Sequence, residues 1–276
     1  MYRRKLCFGL SRQFGLPYEE QIRMLHTIGF EGFFVNWEPE LDFAPLRRVA
    51  DELGMVFQSI HAPFHKMADM WEQTESTQAA IDELMDCLHA CAENAVPIMV
   101  THTFIGFDKH EPTALGLENY GKVIAEAERL GVKIAFENTE GEEYLAALMN
   151  HFDSPAVGFC WDTGHEMCYN HSKDMLALYG DRLIATHLND NLGIRDYEGR
   201  IIWHDDLHLL PFDGIADWND IAARLRRHGF EDILTFELNI KSKPNRHEND
   251  AYARMDIRDY FTQVYIRACR VAALVG

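Results

Sequence analysis

Basic residues are scarce in this chain of 276 residues: Lys and Arg number 26 against 44 Asp and Glu, a formal net charge of -18. Binding a phosphate backbone is driven by Lys/Arg neutralisation and counterion release, so this balance argues against a nucleic-acid surface. Long apolar runs are also missing; no stretch of about 18 apolar residues exists to cross a bilayer as a helix. The basic start, Met1 to Lys5, leads into an apolar stretch too short for a signal peptide and interrupted by Ser11 and Arg12. These absences lead to the expectation of a cytoplasmic protein with no membrane partner. Cysteine is sparse and scattered (Cys7, Cys87, Cys91, Cys160, Cys168, Cys269), with no Cys-x-x-Cys pair. A chain this long builds its own core without a disulfide framework. No G-x-G-x-x-G follows the first apolar run, and the phosphate loop G-x-x-x-x-G-K-[ST], the hydrolase elbow G-x-S-x-G and the zinc helix H-E-x-x-H are absent. No linker rich in Pro, Gly or Ser divides the chain.

What is present is an alternation sustained from end to end. Apolar or β-branched runs at 6-10, 32-37, 56-61, 98-104, 133-138, 157-162, 183-188 and 233-238 read as strands. Amphipathic stretches between them read as helices over about 17-28, 42-53, 77-94, 112-130, 142-150, 174-179, 217-228 and 250-273. Gly29, Gly54 and Gly131 each stand where a helix stops and a strand begins at once, the position that takes a left-handed residue. Strands alternating with helices imply a parallel sheet. Eight βα units at roughly 35 residues each predict an α/β fold, a (β/α)8 TIM barrel forming one domain over 1-276. The longest non-helical stretch, 189-216, follows strand seven and reads as an active-site loop.

In a parallel barrel every strand's C-terminal end opens on one face, so polar residues that close successive strands converge. Reading those positions gives His61 after strand three, His102 in strand four, Glu137 in strand five, Asp162 and His165 after strand six, His187 in strand seven and Glu237 in strand eight. A lone histidine in an apolar strand is usually a hydrogen-bonded core residue. Glu137 and Glu237 resist that reading, because each lies in a run fit for full burial, where an unpaired carboxylate loses its charge or costs several kcal/mol. A metal ion is the simplest partner for several such groups. Mixed imidazole and carboxylate ligation suits Mn²⁺ or Zn²⁺ first, with Co²⁺, Fe²⁺ or Mg²⁺ behind, and disfavours Ca²⁺.

The phrases Ser-Ile-His61-Ala-Pro, Ala-Phe-Glu137-Asn-Thr, Trp-Asp162-Thr-Gly-His165, Thr-His187-Leu-Asn-Asp, Asp206-Leu-His208-Leu-Leu-Pro and Phe-Glu237, in that order, resemble the xylose-isomerase-like barrels. That superfamily includes sugar (phosphate) isomerases and epimerases and the endonuclease IV group. Similarity to the ketose 3-epimerases implies one divalent metal on Glu137, Asp162, His187 and Glu237. It also implies His165 beside the substrate, and Glu137 and Glu237 exchanging a proton with carbon on opposite faces. Such chemistry needs an electrophile for a developing enediolate and positioned carboxylates as base and acid. Substrate contacts are expected from Trp37, His61, His102, His165, Trp203 and His208. Similarity to endonuclease IV instead implies zinc phosphodiester cleavage of abasic DNA, with His61, His102, Glu137, Asp162, His165, His187, Asp206, His208 and Glu237 as ligands. The acidic balance favours a small-molecule sugar, polyol or sugar phosphate as partner, with no nucleic acid; a homo-oligomer is compatible with the sequence. Candidate phosphate contacts are Lys66, Lys109, Arg195 and Arg200.

Overall fold

The computed structural model describes residues 4-108, 111-196 and 199-276, so Lys109 and the first three residues of the basic start lie outside the described residues. Its eight strands are β1 Leu6–Gly9, β2 Gly32–Asn36, β3 Val56–His61, β4 Ile98–His102, β5 Lys133–Glu137, β6 Val157–Asp162, β7 Leu183–His187 and β8 Leu234–Phe236. Each falls within its expected run. All neighbouring pairs are parallel, from β8 beside β1 through to β7. The ring closes by a bridge between Leu188 and Phe236, where Leu188 N–H donates to Thr235 O at 2.8 Å. The result is the expected (β/α)8 barrel.

The helices are α1 Tyr18–Ile28, α2 Ala44–Leu53, α3 Thr77–Glu93, α4 Ala114–Leu130, α5 Glu142–His151, α6 Thr163–Cys168, α7 Met175–Tyr179, α8 Trp218–Arg227 and α9 Ile257–Val275. Each long one lays an apolar stripe on the sheet. In α2 the buried residues are Leu46, Val49 and Ala50, at the i, i+3, i+4 spacing of one helix face. Gly54 and Gly131 stop α2 and α4 with φ of 67° and 71°, a conformation that costs glycine little and other residues more. Helix α9 begins seven residues later than expected because Asp256, whose carboxylate accepts from Arg258 N–H, caps it there. Its Phe261 packs edge-on against Phe8 and Phe14, with centroids 5.6 and 5.0 Å away, and seals the β8–β1 side of the ring.

Two layers of apolar packing result. The large one lies between sheet and helices and holds Phe33, Phe57, Phe136 and Phe159. The small one fills the barrel interior with Ile98, Val100, Ala135, Cys160 and Ala185, and beside them Cys7, Phe34 and Ile233. Strand side chains alternate with period two. Two residues beyond Val100, Ala135, Cys160 and Ala185 are His102, Glu137, Asp162 and His187, which therefore face the same interior one layer higher.

Candidate metal centre at the strand ends

Register sets these residues side by side. His102 pairs with Glu137, Asp162 with His187, and Asn36 with His61 across adjacent strands. Glu137 is fully buried at the centre. Its Oε1 lies 2.8 Å from His187 Nδ1 and 3.6 Å from His165 Nδ1, and its Oε2 lies 3.2 Å from His61 Nε2 and 3.4 Å from His102 Nε2. Glu237 follows β8 and brings Oε2 to 3.1 Å from His187 Nδ1. Ligand atoms of Glu137, Asp162, His187 and Glu237 all lie within 4.8 Å of one another, as do those of His61, Glu137 and His187 and those of Asp162, His165 and His208.

His165 and His208 come from outside the strands. Asp162 caps the short helix α6, its Oδ1 accepting His165 N–H at 2.7 Å, and this turns the His165 ring over the barrel. The sequence alone puts His165 after strand six and predicts no helix there, since six residues give too little periodicity to show one. Gly164 is required here, since a Cβ would come within 1.9 Å of Asn189 Oδ1. Asn189 in turn donates to Asp162 Oδ2 at 2.8 Å. His208 has a left-handed backbone, φ 48°, uncommon for a residue with a Cβ. It is held there by bonds to the chain after β8: its Nδ1 lies 3.1 Å from Glu237 O, and Asn239 N–H donates to its carbonyl. The same loop presents Asp206, whose Oδ1 lies 2.8 Å from His208 Nε2 and 3.3 Å from His165 Nε2 without forming a well-directed hydrogen bond.

The donor chemistry fits a metal. His61, His165 and His208 each hold Nδ1 on a backbone carbonyl (Ala62, Asn138 and Glu237), which fixes the tautomer and leaves Nε2 as a lone-pair donor. This is the usual support for a ligating imidazole. Asp206 Oδ1, buried and without a hydrogen-bond partner among the described residues, faces two such nitrogens.

Electrostatics show how tightly the groups compete. Burial opposes ionisation at Glu237, but His187 and His208 prevail and hold its carboxyl down at about 2. Glu137 and Asp206 are likewise held well below the ordinary carboxylate range against burial, the first by His187 and His102, the second by His208 and His165. Burial raises the Asp162 carboxyl to about 6. Burial disfavours charge on His208, yet Asp206 pushes it up to about 9; against the same burial His165 is raised by Asp162 and Asp206, and His187 by Cys160, Glu237 and Glu137. His102, farther from a carboxylate oxygen, is lowered by burial. The site balances carboxylates against imidazoles, which a divalent cation can replace as counter-charge.

A cavity of about 200 Å³ opens above this floor, lined by His61, His102, His165, Asp206, His208 and Glu237. Its remaining walls are Asn36, Phe64, Asn239 and Lys243, which the sequence reading did not single out. They lie in the strand-end layer or the loops after β3 and β8, which marks them as site-facing once the barrel is assigned. Trp37 lines an adjoining groove of about 360 Å³ that shares Asn36, His61 and Phe64 with the cavity. Trp203 is half-exposed outside and, among the described residues, meets the cavity through Lys243, whose ammonium sits 5.4 Å from its ring centre. Of the expected phosphate contacts, Lys66 pairs with Glu83 and Arg200 with Asp196, while Arg195 lines a separate hollow beside Arg246.

The model of one protein family, the xylose isomerase-like TIM barrel, matches residues 22–258. A relative, the uncharacterized protein y4fM of Sinorhizobium fredii, is 29% identical over 270 residues, covering 80% of this chain and 82% of that one. Among solved structures, IOLI protein with a binding zinc atom superposes with a TM-score of 0.76 at 16% identity, over 99% of each chain. D-psicose 3-epimerase with D-tagatose from Clostridium cellulolyticum H10 superposes with a TM-score of 0.71 at 14% identity, over 98% of this chain and 99% of that one. The chain spans 41% of the length of a xylose isomerase-like TIM barrel/4-hydroxyphenylpyruvate dioxygenase fusion protein, which it matches over 91% of itself with a TM-score of 0.68 at 16% identity. Eight parallel strands, a histidine and carboxylate floor at their C-terminal ends and a family match over most of the length lead to one conclusion: the chain belongs to the xylose isomerase-like TIM barrel family.

Proposed function

We propose that this chain is a divalent-metal-dependent isomerase or epimerase of a small sugar, polyol or sugar phosphate. The observation that carries the reading is the convergence of Glu137, Asp162, His187 and Glu237, with ligand atoms within 4.8 Å of one another, at the floor of a cavity of about 200 Å³. That volume lies below the 300–1,000 Å³ typical of drug-sized ligands and suits a compact polyol. Those four residues would hold the metal, Mn²⁺ or Zn²⁺ first. When bound, the cation supplies a Lewis acid for the negative charge that develops on substrate oxygen.

The chain's own groups do the rest. Glu237 is the glutamate that lines the cavity, with its side chain 24% exposed, and it takes the proton from the carbon beside the carbonyl. Glu137, fully buried across His187, returns a proton to carbon from the other side. Return to the opposite face of the same carbon is epimerisation, and return to the neighbouring carbon is isomerisation. His165 and His208 stand over the substrate oxygens, Asn36 and Asn239 offer amides to hydroxyls, and Phe64, stacked on His102 with centroids 4.6 Å apart, offers an apolar wall.

A second reading has its own support. His61 and His102 on Glu137 Oε2, and His165 with His208 on Asp206 Oδ1, complete two further ligand groups, the set a three-zinc phosphodiesterase of abasic DNA uses. The small cavity and the net charge of -18 weigh against a DNA strand. Incubating metal-loaded protein with a panel of ketoses in D₂O tests the choice. Carbon-bound deuterium at the epimerised position is expected; cleavage of abasic-site DNA with no exchange into any ketose overturns the sugar reading.

A further inference from the structure

One cation enters the cavity, and the proton-transfer scheme does not use it. Lys243 lies in the loop after β8 and, among the described residues, is the only Lys or Arg lining the cavity. It is not a loose surface lysine. Its side chain is 19% exposed, its ammonium sits 5.4 Å from the Trp203 ring centre, and Nζ lies 3.3 Å from Asp206 Oδ2. The cation–π contact and the Asp206 carboxylate hold it in place. The loop that carries it is tied down two ways. Arg246 pairs with the fully buried Asp205 at 3.0 Å, and Asn249 donates to Asn239 O at 2.9 Å.

An ammonium has three N–H donors, and among the described residues Asp206 Oδ2 is the one hydrogen-bond acceptor that meets it. Asp206 is itself shared, because its other oxygen stands between His165 and His208. A partly buried lysine with one long contact to a shared carboxylate has incomplete counter-charge and two donors to spare. The other polar walls outside the candidate ligands, Asn36 and Asn239, are neutral amides suited to hydroxyls. A neutral polyol would satisfy the amides and leave the lysine unmet, whereas a polyol bearing an anionic group would satisfy both. Resting on the isomerase or epimerase reading of this cavity, we propose that Lys243 is a specificity-determining residue. It takes a carboxylate or phosphate carried by a small polyhydroxy substrate.

The test is calorimetric binding of D-glucitol, D-gluconate and D-glucitol 6-phosphate to metal-loaded protein at fixed ionic strength. Wild type, Lys243→Met and Lys243→Arg are compared after their metal contents are shown to be equal. A charge-assisted hydrogen bond predicts that at least one anionic probe binds wild type about tenfold or more tighter than glucitol. Whichever anion gains identifies carboxylate or phosphate as the group read. In Lys243→Met the anion-to-glucitol ratio is expected to fall to about one, and Lys243→Arg to restore a preference, which loss of a merely structural contact would not produce. Equal binding of all three probes to wild type, or an undiminished preference in Lys243→Met, overturns the role of Lys243 and leaves the sugar reading standing. Binding of none of the three to protein that holds its metal overturns both.

Discussion

Two groups of candidate ligands meet in one cavity and are built in different ways. Glu137, Asp162 and His187 stand on strands, two residues beyond the small apolar side chains that fill the barrel interior, and Glu237 follows β8 directly. Their places are set by parallel register, which a whole sheet of backbone hydrogen bonds enforces. His165, Asp206 and His208 stand on a six-residue helix and an irregular loop. Side-chain clasps place them. Asp190 accepts from Phe212 N–H, Ala216 N–H and the Trp218 indole, and Asp205 anchors Arg246 and Arg195 N–H. Glu166, the neighbour of His165, is locked to Arg224 by two bonds of 2.7 and 2.8 Å. Strand-end ligands are thus preorganised by the fold, and loop ligands by a few buried polar bonds that can be cut singly.

The comparison breaks first at the residue both groups share. Glu137 touches four imidazoles, one of them His165, so Glu137→Gln is expected to empty the entire site. Bound metal by elemental analysis should fall to background, and deuterium exchange into a ketose by about 10³-fold or more. Retention of full metal content would show that the strand group does not organise the centre. Next in size is Arg224→Met. It leaves the Glu166 carboxyl of α6 buried beside Trp161 without its guanidinium partner, and breaking such a pair costs about 3–5 kcal/mol. Urea denaturation should show that loss, while metal bound to the strand group in the folded fraction stays unchanged.

The same division explains what could be read from the sequence. All eight strands and the ring of His61, His102, Glu137, Asp162, His187 and Glu237 were legible, because burial and period two constrain each position independently of distant residues. Asp206 and His208 were reached only through resemblance to known phrases. Nothing local shows that His208 adopts φ 48° against the chain after β8. Lys243 escaped notice while Lys66, Arg195 and Arg200 drew it, since loop charges look alike until the path of the chain is known. Asp205 falls between these cases. It directly precedes the phrase that carries Asp206 and His208, but its partner Arg246 is 41 residues away.

A sharper cut follows from that clasp. Asp205→Asn removes the charge that holds the β7 loop to the β8 loop while touching no candidate ligand in the strand group. Support residues of this kind typically change metal affinity about 10- to 100-fold. Metal titration should therefore show that penalty for any second ion taken up on His165, Asp206 and His208, as the phosphodiesterase reading requires, with the affinity of the strand-held ion unchanged. An equal loss at both would mean that the two groups form one cooperative unit.

The smallest effect expected is at Trp203, which meets the cavity through Lys243. An exposed cation–π contact contributes about 0.5–1 kcal/mol, so Trp203→Leu should weaken an anionic polyol about two- to fivefold and leave glucitol unmoved. Trp203→Phe keeps a ring face and should recover part of that loss, whereas packing of the lysine stem alone would make Leu and Phe equivalent. Calorimetry on the two variants separates these cases. Because Trp203 lies on the half-exposed rim of the loop group, neither variant should alter metal content or unfolding midpoint. A change in either would place Trp203 among the clasps that build the loop group, where a tuning role for Lys243 could no longer be told from loop order.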